Sequence, residues 1–131
     1  MVVTVARQTE YIPEWNGNKT DEKPIVIVHK APTTVLSEML IPKPVFKMKM
    51  GNDGNGSVSE TEFTVDYKKI VKEMVIEIKN LTIDVDGKPL VISNVTDLFS
   101  PSTPSCINGL VDDVGLYLQT LLSAKEAKTK N

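Results

Sequence analysis

From Asp66 to Leu81 the chain repeats large apolar residues in steps of three and four: Tyr67, Ile70, Val71, Met74, Val75, Ile78 and Leu81. That spacing stacks side chains on one face of an α-helix, so the pattern predicts a helix over 66–81. Asp66 stands where its carboxylate can cap the first turn, against the positive end of the helix dipole. Lys68, Lys69, Lys72, Glu73, Glu77 and Lys79 fall on the opposite face and belong in water, with Lys69 and Glu73 spaced to pair. A stripe this apolar needs a partner surface from elsewhere in the chain.

Ile107, Leu110, Val111, Val114, Leu118, Leu121 and Leu122 recur at the same spacing and predict a second helix over 105–123 as that partner. Leu116 and Tyr117 widen its apolar surface beyond one stripe, to meet either the chain's own β-hairpin or another chain. A shorter helix is expected over 33–40, capped by Thr33 or Thr34 and stopped by Pro42 and Pro44.

Elsewhere the period is two. Ile25–His29 is β-branched and bounded by Pro24 and Pro32, as a buried strand would be. Val45–Met50 alternates Phe46, Met48 and Met50 with Lys47 and Lys49, and Phe63 and Val65 mark a returning strand. Ile83 and Val85, then Asp86-Gly87, then Leu90 and Ile92 form a hairpin signature. Val3 and Val5 suggest an edge strand or an ordered arm near the start. The expected fold is α+β: two main amphipathic helices packed on a small antiparallel sheet with hairpins, its strands near 25–29, 45–50, 58–65 and 82–92. One domain is expected over 1–123, followed by a flexible charged tail at 124–131.

Composition narrows the function. With 131 residues, 40% of them hydrophobic, the chain suits one core. Its 15 basic and 17 acidic residues are scattered and sum to a charge of −2, so no basic stripe recommends nucleic acid. No apolar run approaches the roughly 20 residues of a membrane span, and the start lacks the basic-then-apolar order of a signal peptide. One cysteine and one histidine cannot make an internal disulfide or a structural zinc site, which fits a reducing cytoplasm. The glycosylation patterns at Asn18, Asn55, Asn80 and Asn94 are then incidental.

Candidate chemistry is sparse. Residues 51–62 overlay an EF-hand loop, placing Asp53, Asn55, Ser57 and Glu62 at ligand positions three, five, seven and twelve. Gly51 replaces the first aspartate, however, and the preceding IPKPVFKMKM reads as strand, so a Gly/Asn-rich hairpin tip is the plainer reading. His29 at a strand end has no nucleophile signature beside it and reads as a hydrogen-bonded or exposed histidine. Cys106 reads as a small packing residue. Paired carboxylates, a phosphate loop and a metal cluster are all missing, so an enzyme is not expected and neither is a cofactor. Trp15, the only tryptophan, sits in a turn-rich loop and is either a lid over the core or an anchor for a partner.

Two segments together carry a resemblance. PEWNGN at Pro13–Asn18, the strand Ile25–His29 and APT at Ala31–Thr33 form one; VKEMVIEIKNL, followed by the Asp-Gly hairpin and DLF, forms the other. In this order they resemble the tail assembly chaperones of long-tailed bacteriophages, with the loop at 51–57 outside the match. The resemblance implies a non-enzymatic protein of the host cytoplasm that holds the long, apolar, helical tape measure protein soluble while tail tube subunits assemble around it. It implies a tape measure client, contact with the tail tube protein as a further option, and absence from the finished particle. Self-association is left open. The side chains expected to cover the client are Trp15, Leu116, Tyr117 and Leu121. The competing expectations are a calcium-binding module centred on Asp53, Asn55, Ser57 and Glu62, and a structural tail or connector protein.

Overall fold

The computed structural model describes residues 1–42 and 65–124 in full, and the backbone of the strands at 45–50 and 57–62. Strands and helices follow as β1 (Gln8–Tyr11), β2 (Val26–Lys30), α1 (Thr34–Leu40), β3 (Val45–Met50), β4 (Ser57–Glu62), α2 (Tyr67–Met74), β5 (Val75–Lys79), β6 (Leu81–Val85), β7 (Lys88–Ile92), α3 (Val95–Leu98) and α4 (Asn108–Leu122). Short 3-10 turns occupy Trp15–Thr20 and Ser105–Ile107. The class is α+β.

The strands form three separate antiparallel groups, not one sheet: β1-β2-β5, β3-β4 and β6-β7. The predicted strand at 25–29 therefore pairs with neither expected hairpin. Its neighbours are β1 and β5, with Thr9 opposite His29 and Ile27 opposite Ile78. The β6-β7 hairpin closes as expected, through Asp86 and Gly87 at φ 53° and 80°, the left-handed pair of a type I′ turn. Near the start it is Gln8–Tyr11, not Val3 to Val5, that becomes the edge strand.

The expected helix over 66–81 is half helix and half strand. Asp66 caps it as anticipated, accepting from the Lys69 amide at 3.1 Å, but the helix stops at Met74 and Val75 begins β5. Two causes act together. Val75, Ile76 and Ile78 are β-branched and lose rotamer freedom in a helix, while β2 is a central strand whose second edge must be hydrogen-bonded once buried. The apolar spacing nevertheless survives. Val28 opposes Glu77 and His29 opposes Val75, so Ile76 is an extra, bulged residue that brings Val75 and Ile78 to the same face although they are three apart. Asn80, left-handed at φ 63°, then turns Leu81 back into the core.

That core joins Ile27 of β2, Ile70 and Met74 of α2, Ile78 of β5, Ile92 of β7 and Leu110 and Leu118 of α4. α2 and α4 pack directly on one another, as the two stripes predict. At Gly115 they leave no room for a side chain, since a Cβ there would lie 2.5 Å from Tyr67 Cβ. α1 is capped by Thr33, whose hydroxyl accepts from the Leu36 amide at 3.1 Å, and Ser37 Oγ donates to the Leu122 carbonyl at 2.7 Å. Of the expected tail at 124–131, residues 125–131 lie outside the described residues, as do the loop residues Asp53 and Asn55.

Candidate functional site

α4 carries two stripes. Leu110, Val111, Val114, Leu118 and Leu122 are buried against α2 and the sheet. Gly109, Asp112, Asp113, Leu116, Tyr117, Thr120 and Leu121, again in steps of three and four, line an open groove of about 870 Å³. Its remaining walls come from Tyr11, Glu14 and Lys19 on one side and Tyr67 on the other. The stripe follows α4 for roughly 18 Å at 1.5 Å per residue.

Asp113 fastens one wall. Its Oδ1 accepts from the Tyr11 hydroxyl at 2.6 Å, and its Oδ2 accepts from the backbone amides of Glu14 at 3.1 Å and Trp15 at 3.0 Å. The loop beyond is closed from inside by Asn18, which is buried. Its amide nitrogen donates to the Pro13 and Ile25 carbonyls at 2.9 and 3.1 Å, and its oxygen accepts from the Ile25 amide at 2.6 Å.

Aromatic contacts fasten the groove floor. The Tyr11 and Tyr117 rings stack in parallel with centroids 3.7 Å apart, and His29 meets Tyr117 edge-on. His29 is 1% exposed. Its Nδ1 lies 2.9 Å from the Lys30 carbonyl, which can only accept, so Nδ1 carries the proton and Nε2 accepts from the Tyr117 hydroxyl at 3.1 Å. Both phenols hold their protons beyond the usual tyrosine range. Burial does this for Tyr117, and for Tyr11 burial acts first, with the Asp113 carboxylate adding to it.

Of the four side chains expected to meet a partner, three stand together here. Leu116 is 54% exposed, and Tyr117 and Leu121 are half-buried beside it. Leu116 and Tyr117 face the groove and β1, not the β6-β7 hairpin. Trp15 stands apart: half-buried, it packs on the core with its indole edge over Gly109 and lines a different hollow of about 380 Å³. Cys106, expected to pack inside, is exposed at the rim of that hollow. Sequence reasoning placed Tyr67 only in the buried stripe and did not single out Tyr11 or Asp113.

For the calcium reading, the backbone places Ser57 and Glu62 at opposite ends of β4, opposite Met50 and Val45. An EF-hand loop leads into a helix, whereas here positions seven to twelve form a strand. Among the described residues no group of three or more His, Cys, Asp or Glu side chains converges as a metal site, and no helix is long and apolar enough to cross a membrane. Comparison with known proteins brings no match: no family model, no curated protein and no solved structure is similar to this chain.

Proposed function

We propose that the protein is a phage tail assembly chaperone of the host cytoplasm and that it receives an apolar helical segment of the tape measure protein in the groove along α4. The observation that carries this reading is the second stripe of α4. A helix that is already buried along one face and presents Leu116, Tyr117 and Leu121 along another has the form used to take up an amphipathic helix, through anchors at i, i+3, i+4 and i+7. The motifs at Pro13–Asn18 and Val71–Leu81 add the tail assembly context, with the tail tube protein as a further partner.

The groove role rests on α4 and β1. Apart from Tyr67, which lines the groove, the stripe from Asp66 onward is consumed inside the fold by α2 and β5 and offers nothing to a client. Co-expression with a tape measure protein tests the proposal: the client's soluble fraction rises with the native chain and falls back with Leu116→Asp. An unchanged soluble fraction in the presence of the native chain removes the proposal's support.

A further inference from the structure

The groove changes character along its length. Toward the start of α4 its stripe is Gly109, Asp112 and Asp113; one turn on it becomes Leu116, Tyr117 and Leu121, with Tyr67 across from them. The charges at the first end do not cancel. Lys19 sits 3.0 Å from Glu14 and offsets it. Asp113 is held by neutral donors, a phenol and two amides, which orient the carboxylate without neutralising it. Asp112 is exposed, and among the described residues no cation lies within ion-pair distance of either aspartate.

Any helix lying along α4 therefore covers an apolar floor and two uncompensated carboxylates at once. A neutral or acidic helix would desolvate those carboxylates without replacing the lost water. A helix carrying Lys or Arg about one turn, or roughly 6 Å, from its apolar anchors would meet both ends. Resting on the chaperone reading of the groove, we propose that the segment it recognises is a basic amphipathic helix. Its apolar residues seat on Leu116, Tyr117 and Leu121, and its Lys or Arg seats between Asp112 and Asp113. The charges select the client and the apolar floor holds it, since charge complementarity governs specificity and encounter more than it governs total affinity.

The probes are two synthetic amphipathic peptides of about 14 residues, long enough to follow the stripe. They share one leucine pattern and differ only in carrying lysines or glutamates beside it. Their binding to the full chain is read by fluorescence anisotropy at low and high salt. The lysine peptide is expected to bind at least about tenfold more tightly than the glutamate peptide, and that preference is expected to shrink with salt and to vanish in Asp112→Lys. Leu116→Asp is expected to abolish binding of both. Asp112 and Leu116 are exposed, and unchanged circular dichroism would establish that the variants fold. Equal binding of the two peptides, or a preference that survives Asp112→Lys, overturns the charge selection while leaving the groove in place. Failure of both peptides to bind, or binding that survives Leu116→Asp, overturns the groove reading together with it.

Discussion

Asp113 accepts hydrogen bonds from Tyr11, Glu14 and Trp15, which lie 102, 99 and 98 residues away in sequence. Replacing it by alanine strands the Tyr11 hydroxyl and two amides at once. The expected loss is about 2–3 kcal/mol, within the range for hydrogen bonds to a charged group, read as a lower urea midpoint with unchanged slope. The stacked tyrosines give a pH signature. An unfolded tyrosine ionises near about pH 10, whereas Tyr11 and Tyr117 keep their protons to higher pH when folded. Their contribution is therefore fully present below that unfolded value and is lost as pH rises through the folded values. Urea midpoints should fall more steeply above about pH 10 in the native protein than in Tyr11→Phe, and equal slopes would contradict this. At this scale the sequence was partly legible. His29 could be read as a strand-end histidine either hydrogen-bonded or exposed, and it is hydrogen-bonded and buried, but Tyr117, 88 residues away, leaves no local trace of being its partner. Asp113 carries no local sign of its partners for the same reason.

At the scale of elements, one apolar spacing served two kinds of backbone. Residues 67–74 obey it as a helix, and residues 75–81 obey it because a bulge at Ile76 and a left-handed Asn80 reproduce steps of three within extended chain. Periodicity therefore identified the buried side chains correctly, apart from Tyr67, which is half-buried, while misassigning the backbone beneath half of them. The β-branched run Val75-Ile76 and Ile78 was the available warning. Elements with local signals were readable: the caps at Thr33 and Asp66, the Asp86-Gly87 turn, and the stripe of α4. Strand pairing was not, because β1 and β5 reach β2 from far along the chain. The seam between α2 and α4 gives the sharpest test. A methyl at Gly115 would sit 2.5 Å from Tyr67 Cβ and 2.7 Å from Cγ, so the helices would have to separate. Gly115→Ala is expected to cost about 1–3 kcal/mol, as overpacking does, and thermal melts that show no loss would contradict this.

For the whole molecule, a three-stranded sheet on the core and a separate β6-β7 hairpin imply unequal local stability. β2 is central and buried, whereas β6 and β7 pair only with each other and are largely exposed. Amide exchange should be slowest in β2 and the last turn of α2 and faster by an order of magnitude or more, about 1.4 kcal/mol, in β6-β7. Uniform protection across both would overturn that ordering. Asn18 carries a consequence for how the protein can be made. Its side-chain nitrogen is committed to the Pro13 and Ile25 carbonyls, yet Asn18-Lys19-Thr20 also spells the acceptor that oligosaccharyltransferases read on chains still unfolded. A sugar attached there would prop the loop open before it could close, so material secreted from yeast would differ in shape from material made inside a bacterium.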